Sequence, residues 1–314
     1  MNPVKTWSTP VNAGDAGESR LIPCALCGSL VFKPALACEG FSYVRCTRCG
    51  LVQMNPQPSA GAVAGRYTSA YGKEYLAYEL ENERNFLRLQ EFALRDAGFD
   101  ELEHGLLGPA AKGQSGGGAG GPSAPRVLDV GCATGALLEK LRDRGWAVRG
   151  LEISPSAGYA RDVRALDVRS LPLEKSGLED GSFDAVLASH LIEHLNDPAL
   201  FIREAARVLA PGGRLFITTP NISGLQARFS GGRWRSAIFD HLYLFSAATL
   251  SALLVKEGFS PEKTATWGGL AEGTAPPFIK RAADRAAKRF GFGDVMIIRA
   301  AKTAEYRDAR TLQE

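Results

Sequence analysis

Short apolar runs alternate with amphipathic stretches over the second half of the chain. Runs typical of buried strands lie at 126–130, 147–151, 183–188, 214–218 and 295–299. Between them, apolar residues at helical spacing predict helices at 136–144, from about 155, at 198–209 and at 249–257, with Gly258 placed to end the last one. Strands that alternate with helices predict an α/β fold with a doubly wound, mainly parallel sheet covered on both faces.

The first part of the chain follows a different pattern. Short strand-like pieces at 30–32 and 41–45 lie among paired cysteines, and from 71 to 103 apolar residues recur at three- and four-residue steps. That helical stretch either packs against the following domain or closes over a substrate. The predicted divisions are a mobile tail at 1–20, a cysteine-bearing ribbon at 21–60, a helical segment at 61–107, a glycine-rich flexible linker at 108–125, the α/β domain at 126–303 and a second tail at 304–314.

Composition narrows the classes of function. The 314 residues carry a formal net charge of +3, which disfavours a nucleic-acid binder that relies on its overall charge. No apolar run approaches the roughly 18–20 residues of a membrane-spanning helix. The start of the sequence lacks the apolar stretch of a secretion signal, so we expect a cytoplasmic protein. The pattern leaves the oligomeric state open.

Two Cys-x2-Cys pairs predict a metal site. The 18 residues between the pairs fall within the spacing of four-thiolate zinc sites, and a glycine follows the second cysteine of each pair. Four sulfur ligands leave no open position, so zinc at this site would be structural. A thioredoxin-like redox pair is the alternative, but the strand–helix setting that it needs is missing. The predicted zinc ligands are Cys24, Cys27, Cys46 and Cys49.

A glycine-bearing turn follows the predicted strand at 126–130. Gly131 and Gly135 stand where the strand passes into a helix, so that backbone N–H groups can approach a ligand closely. Their spacing lacks the third glycine of the dinucleotide fingerprint, which argues against NAD. Glu152 follows Asp129 by 23 residues and ends the next strand, where an acid can accept hydrogen bonds from a ribose diol.

Together these features resemble the class I S-adenosylmethionine-dependent methyltransferases over roughly residues 126–300. The resemblance implies a Rossmann-like sheet of seven strands and S-adenosylmethionine as the cofactor. The glycine turn would hold its methionine end, Glu152 its ribose, and Asp167 with the Val168 backbone its adenine edge. The segment 183–195 resembles the fourth-strand segment that lies against the cofactor in this family. The cofactor-binding residues so implied are Asp129, Gly131, Cys132, Ala133, Gly135, Glu152, Ile153, Asp167, Val168, Ser189 and His190.

Candidate catalytic residues follow the fourth and fifth strands. A His-Leu-x-x-Phe-Ser segment that begins at His241 resembles one near the acceptor pocket of small-molecule methyltransferases. His241 therefore either takes a proton from the acceptor or orders the loop. The stretch from His190 to His194 is similar to a segment of the ubiquinone-pathway O-methyltransferases that is implicated in holding a divalent metal. Those proteins have Glu in place of His190, and this departure argues against a metal here. The catalytic candidates are His241, His194 and Glu193.

These features predict methyl transfer to a small molecule. A ribbon ahead of such a domain resembles a bacterial group that includes sugar C-methyltransferases, but the further C-terminal domain of those enzymes is not expected here. We expect the acceptor to be a hydroxyl or amine of a sugar, lipid-linked glycan or natural product, with carbon less favoured. Two alternatives stay open. One is an RNA base methyltransferase that uses the ribbon for recognition and the basic run at 280–289 for phosphates, and the other is a non-catalytic cofactor-binding scaffold.

Overall fold

The computed structural model describes residues 19–68, 70–108, 124–269 and 276–303. Most of the two predicted tails and of the predicted linker lies outside these described residues, so those divisions stay predictions. The strands of the described part are β1 (Ser19–Arg20), β2 (Phe32–Cys38), β3 (Phe41–Cys46), β4 (Val52–Met54), β5 (Gln57–Pro58), β6 (Arg126–Val130), β7 (Ala147–Leu151), β8 (Val168–Arg169), β9 (Phe183–Ser189), β10 (Leu209–Pro220), β11 (Tyr243–Leu244), β12 (Phe259–Trp267) and β13 (Val295–Lys302). Its α-helices are α1 (Ala60–Thr68), α2 (Ala70–Asp96), α3 (Phe99–Leu107), α4 (Ala136–Asp143), α5 (Ser156–Asp162), α6 (Pro198–Val208), α7 (Leu225–Ser230), α8 (Ala247–Lys256) and α9 (Pro277–Phe290). None of these helices is both long and apolar enough to cross a membrane.

A seven-stranded sheet forms the centre of the fold, in the order β12-β13-β10-β9-β6-β7-β8. The strands from β6 to β10 pair in parallel, whereas β13 is antiparallel to both of its neighbours, β10 and β12. The chain moves outward from β6 to β8 and then returns to the other side of β6 with β9 and β10. The predicted doubly wound, mainly parallel, Rossmann-like sheet is therefore confirmed.

Apolar cores cover both faces of this sheet. Along β6, Val127 and Leu128 are fully buried and point to opposite faces, as successive residues of a strand do. Val127 packs in a core with Leu94 of α2 and Phe99 of α3, whereas Leu128 belongs to the core that receives α6 and α8. Because helices cover both faces, the central strands are mostly apolar, and this made them recognisable in the sequence.

Local signals set the helix ends around the sheet. Asp197 precedes α6, and its carboxylate accepts the backbone N–H of Leu200 at 2.8 Å. Ser246 and Thr249 form a reciprocal capping box at the start of α8. These caps place the two helices on the face of the sheet that carries Leu128.

Some elements were not indicated by the apolar pattern. Gly98, which is left-handed with a φ of +83°, separates α2 from α3, where the pattern predicted one helical stretch at 71–103. Strand β12 lies at the edge of the sheet and buries only Phe259 and Thr266, so it lacks the apolar run of a central strand. Helix α9 has a single buried residue, Ala287, because it rests on the protein surface.

A four-stranded sheet forms the cysteine-bearing part, in the order β11-β4-β3-β2. Strands β2, β3 and β4 form an antiparallel meander, and the edge strand β11 comes from a distant part of the chain that follows β10. The backbone N–H of Met54 also donates to the carbonyl of Leu242 at 2.8 Å. The small sheet is therefore completed by the segment that leads away from the large one.

Replacement of Gly150 by alanine should lower the free energy of unfolding by about 1–3 kcal/mol, measured by urea denaturation. A Cβ at this position in β7 would lie 2.6 Å from Cys132 Sγ and 2.8 Å from Leu138 Cδ1. Gly105→Ala in α3 is the matched control, because no atom lies within 4 Å of its added Cβ. The control should leave stability unchanged or raise it by about 0.5–1 kcal/mol. Equal losses in both variants would contradict the close packing of β7 against the glycine turn.

Candidate functional site

The turn after β6 is shaped by two left-handed glycines. Gly131 and Gly135 both have a φ of +77°, which a residue with a Cβ rarely adopts. The N–H groups of Gly131 and Cys132 donate to the carbonyl of Leu151 at 2.7 and 3.2 Å, so the turn is tied to the end of β7. A Cβ at Gly135 would also lie 2.6 Å from Leu166 Cδ1. The turn therefore needs glycine at both positions, and α4 begins directly after it.

The carboxylate of Glu152 links this turn to the end of β7. One oxygen accepts the N–H of Ala133 at 3.0 Å, and the other accepts the N–H of Ser154 at 2.8 Å. Each carboxylate oxygen can accept a further hydrogen bond. The carboxyl ends of β6 and β7 thus meet at one acidic group, as the sequence spacing predicted.

Asp129 is a fully buried carboxylate below the turn. Neither of its oxygens has a hydrogen-bond partner among the described residues. Burial, with a smaller contribution from the charge of Glu152, raises the pKa of Asp129 to about 7. The side chain borders a narrow cleft that Gln90, Ser189 and Thr218 also line. An unpartnered carboxylate at this depth is suited to a cationic ligand group.

Helix α2 covers the turn from the other side. Glu83 accepts a hydrogen bond from Thr134 Oγ1 at 2.6 Å, and Glu79 accepts one from the Ser156 hydroxyl. Burial raises the pKa of Glu79 to about 8, and the charges of Glu152 and Glu83 add to this effect. Neither acid was predicted from the sequence, because the only local signal of the two is their four-residue spacing on an amphipathic helix. Because α2 contacts both the sheet and the turn, it buttresses the domain and also borders the site.

The structure places the other predicted cofactor-binding residues in different surroundings, and not all of them face the glycine turn. Ile153 borders an open pocket of about 370 Å³ with Ser154 and Ser170. The Cys132 thiol is buried in an apolar cluster, so only its backbone faces the turn. Asp167 lies one residue before β8, level with Arg149, and accepts a hydrogen bond from Arg149 Nε at 2.6 Å.

Val168 is paired with Gly150 within the sheet, and its N–H donates to Leu166 at 3.0 Å. The structure therefore does not bring the side chain of Asp167 to the end of β8. Its contact with adenine, and that of the Val168 backbone, stay predictions. Ser189 ends β9 beside the cleft of Asp129, and the following His190 is left-handed with a φ of +52°.

Three predicted catalytic residues come together at the carboxyl ends of β9 and β10. Donor atoms of Glu193, His194 and His241 lie within 4.8 Å of one another, a spacing at which one cation could also be held. The Glu193 carboxylate is fully buried and contacts His190 Nδ1 at 3.2 Å and the Thr219 hydroxyl at 2.9 Å. Burial raises the pKa of Glu193, but the hydrogen bond and charge of His190, with the charges of the other two histidines, lower it to about 2.

Backbone carbonyls fix the orientation of two imidazoles. His194 Nδ1 lies 2.9 Å from the carbonyl of Asp240, and His241 Nδ1 lies 2.8 Å from that of Ser236. A carbonyl can only accept, so a hydrogen bond at either contact requires a proton on Nδ1, and in the neutral ring Nε2 then keeps the lone pair. The rings stand edge to face with centroids 4.7 Å apart. Burial, followed by the charge of His194, lowers the pKa of His241 to about 4.

The small sheet and α1 brace the segment that carries His241. The hydroxyl of Tyr43 in β3 lies 2.8 Å from the carbonyls of both Ile238 and His241. From α1, Tyr67 reaches His194 Nδ1 at 3.0 Å. No local sequence pattern predicts these contacts, because they join residues far apart in the chain.

The four paired cysteines form a compact cluster in the small sheet. Their sulfurs lie within 4.8 Å of one another, with Cys24–Cys49 at 3.4 Å and Cys27–Cys46 at 3.5 Å. Burial raises the pKa of Cys46, but N–H groups of Cys49 and Arg48 directed at its sulfur lower it to about 6. Four convergent sulfurs with backbone donors form a fitting ligand set for one metal ion.

Comparison with known proteins gives a family-model match at residues 78–264, more than half of the chain, to a family described as "Methyltransferase domain". The chain is 37% identical over 111 residues to the ubiquinone biosynthesis O-methyltransferase of Xanthomonas axonopodis pv. citri (strain 306), covering 32% of this chain and 45% of that protein. It is 33% identical over 111 residues to the ubiquinone biosynthesis O-methyltransferase of Acinetobacter baumannii (strain AYE). That match covers 33% of this chain and 47% of the Acinetobacter protein. The chain thus spans less than half the length of these curated relatives.

Among solved structures, the chain is similar to a protein of Thermotoga maritima described as an S-adenosylmethionine-dependent methyltransferase and possible histamine N-methyltransferase. The TM-score is 0.49 with 23% identity, over 73% of this chain and 98% of that one. It is also similar to an S-adenosylmethionine-dependent methyltransferase of Archaeoglobus fulgidus, with a TM-score of 0.45 and 20% identity, over 68% of this chain and 99% of that one.

Asp129→Asn should remove a pH-dependent loss of stability. An aspartate in the unfolded chain ionises near pH 3.9, whereas the folded protein holds the pKa of Asp129 at about 7. The folded state therefore binds the proton more tightly, and the free energy of unfolding falls as pH rises from about 4 to 7, by up to about 1.4 kcal/mol per pH unit. Urea denaturation of the cofactor-free protein measures this. Between about pH 4 and 7, the free energy of unfolding should fall less steeply for the variant than for the wild type.

Asp167→Asn is the control for this experiment, because its carboxylate is half-exposed and paired with Arg149. It should follow the wild-type pH profile. If the profiles of Asp129→Asn and the wild type ran in parallel, the buried, unpartnered state of Asp129 would be refuted.

Proposed function

The chain belongs to the methyltransferase-domain family, and from this premise we propose that it is an S-adenosylmethionine-dependent methyltransferase that methylates a hydroxyl or amine of a small molecule. Named O-methyltransferases among its relatives favour a hydroxyl acceptor, with carbon the least favoured. The sugar, lipid-linked glycan or natural-product classes expected from the sequence stay within this proposal.

The observation that carries the proposal is the unpartnered Asp129 carboxylate beside the turn that Glu152 links to β7. S-adenosylmethionine carries an ammonium and a sulfonium, and Asp129 in its carboxylate form would compensate this positive charge. The remaining lone pairs of Glu152 would accept hydrogen bonds from the ribose diol. Backbone N–H groups from Gly131 to Gly135 would face the methionine end.

The adenosine end would extend toward the pocket beside Ile153. The side chain of Ile153 would pack against the adenine ring, with Ser170 at the pocket's far side. Ser189 and His190 would border the cofactor from β9, as the sequence predicted. A contact between Asp167 and adenine would require that carboxylate to leave Arg149.

The bound cofactor would supply the methyl group, which leaves sulfur as the acceptor oxygen or nitrogen bonds to it. The chain's contribution is to hold both partners in line and to accept the acceptor's proton. We assign the proton to Nε2 of His194, because its ring is less buried than that of His241 and Nδ1 is already held by a carbonyl. His241, buried and neutral at pH 7, would position His194 by edge-to-face contact.

Of the two roles predicted for His241, proton acceptor or ordering of its loop, this proposal favours the second and moves the base role to His194. Glu193 would stabilise the protonated imidazole, because its carboxylate stays ionised in the same cluster. The charge of the acquired proton would then be balanced within the site.

His194→Gln should lower turnover about 10²–10⁴-fold, the usual contribution of a general base, and leave cofactor affinity nearly unchanged. His241→Ala should also lower turnover more than affinity, because His194 would lose its neighbour. His104→Gln, on the exposed face of α3, is the matched control and should behave as the wild type. The measurements are calorimetric binding of S-adenosylhomocysteine and transfer of labelled methyl groups to pools of hydroxylated and amino compounds.

Absence of binding heat in the wild type would contradict the cofactor site. Intact turnover in His194→Gln would contradict its role as the base and leave cofactor binding untouched.

We also propose that the four cysteines hold one structural zinc ion and that the segment around them is a zinc ribbon. The sulfur distances, the backbone N–H groups directed at Cys46 and the closed ligand set support this assignment. Through Tyr43, loss of the metal would release the segment that carries His241.

Cys24→Ser should reduce bound zinc from about one ion per chain to a small fraction, because a hydroxyl replaces a thiolate ligand. Turnover should fall with it. Cys38→Ser is the matched control, since Cys38 lies in β2 outside the cluster and donates only to the carbonyl of Gly232. Metal analysis by mass spectrometry, after purification without added chelator, checks both variants. Full zinc content in Cys24→Ser would contradict the site.

A further inference from the structure

Helix α9 presents two parallel rows of side chains to solvent. Phe278, Ala282, Ala286 and Phe290 recur every four residues and form an apolar row, and all four are exposed. A second row with the same spacing consists of Arg281, Arg285 and Arg289. Residues four apart lie on one face of a helix, so the two rows run side by side along α9.

The apolar row exposes large aromatic surfaces. Phe278 and Phe290 are 67% and 65% exposed. Beyond the helix the apolar surface continues through Phe292 to α7, where Phe229 is 83% exposed. The carbonyl of Phe292 accepts the N–H of Leu225 at 3.0 Å, which joins the two elements. The exposed aromatic residues of α7, α9 and the loop after α9 therefore lie on neighbouring elements.

The ion pairs found on α9 within the described part of the chain involve its lysines. Lys280 pairs with Asp284 and Lys288 with Asp96, both at 2.7 Å or less. Among the described residues, no ion pair involves Arg281 or Arg285. These arginines and the neighbouring Arg289 are therefore available to an anionic partner.

We propose that α9, with Phe229 and Phe292, binds the surface of an anionic lipid bilayer. The aromatic rings would enter the boundary between headgroups and acyl chains, and the arginines would contact lipid phosphates. The two small alanines between the phenylalanines allow the helix backbone to approach the membrane plane. The helix would lie in the interface and would not span the bilayer.

Other occupants fit this surface less well. RNA would use the arginines, but the apolar row offers it only two rings separated by alanine methyl groups, whereas a bilayer matches both rows. A symmetric pair of copies would bring one arginine row against another in a self-complementary contact. The combination of adjacent apolar and cationic rows therefore favours lipid.

The proposed surface lies beside the edge of the sheet that carries the histidine cluster. The loop after α9 leads to Asp294, which accepts hydrogen bonds from Trp234 Nε1 at 2.5 Å and Arg235 Nε at 2.6 Å. These two residues immediately precede Ser236, whose carbonyl holds His241. Bilayer binding would thus bring the acceptor side of the molecule close to the membrane.

Co-sedimentation of the full chain with vesicles tests the proposal. The wild type should bind vesicles of phosphatidylcholine mixed with phosphatidylglycerol and bind vesicles of phosphatidylcholine alone much more weakly. Arg281→Gln with Arg285→Gln should weaken binding to the anionic vesicles about 25-fold, and Phe278→Ser with Phe290→Ser about 100-fold. No methyl acceptor is added, so the outcome is independent of the proposed methyl transfer.

Arg84→Gln with Arg88→Gln is the matched control, because these exposed arginines have the same spacing on α2. The control should bind as the wild type does, and thermal denaturation should show all three double variants folded. Wild type that stays in the supernatant with anionic vesicles would overturn the proposal. So would a gel shift with RNA that only the α9 arginine variant loses, or a dimer in analytical ultracentrifugation that only the α9 phenylalanine variant dissociates.

Discussion

Leu242 connects the two sheets of this protein through its own peptide groups. Its N–H donates to the carbonyl of Glu193 at 2.7 Å, and its carbonyl accepts the N–H of Met54 at 2.8 Å. The residue thus lies between the end of the large sheet and the start of the small one. His241 directly precedes it, so the position of that imidazole depends on both sheets. The site is therefore not a loop resting on a finished domain but the junction between two parts of the fold.

The acidic groups around the glycine turn illustrate a second constraint. The charge of Glu152 adds to the effect of burial in raising the pKa values of both Asp129 and Glu79, and Asp129 has no hydrogen-bond donor among the described residues. Such an arrangement destabilises the cofactor-free protein, because buried negative charges lack compensation. A cationic ligand would relieve that cost, so part of its binding free energy would come from compensating the charge of these carboxylates.

The sequence predicted the features that local patterns encode. The strands β6, β7 and β9 are mostly apolar because both faces of the sheet are covered, and the turn at Gly131 is marked by its glycines. The close approach of Glu152 to this turn follows from parallel strands ending at one edge of a sheet. The four cysteines were also found together, because each pair lies in one short turn.

These local patterns could not predict contacts between residues that are far apart in the chain. Glu79 and Glu83 look like ordinary polar residues of an amphipathic helix until α2 is placed over the turn. The hydrogen bond of Tyr43 to the carbonyl of His241 could be found only in the structure, because no local pattern pairs β3 with a segment so distant in the chain. His241 itself was found, but its burial, which makes it a weak base, depends on neighbours from several elements.

The distance along the chain between the partners of the small sheet also affects the order of folding. Tyr43 and Ile238 are 195 residues apart, yet they are in direct contact. The cysteine turns can form as soon as they leave the ribosome, because their hydrogen bonds join nearby residues. The sheet around them lacks its edge strand until β11 has been synthesised, so its exposed edge must be protected from other chains during most of translation.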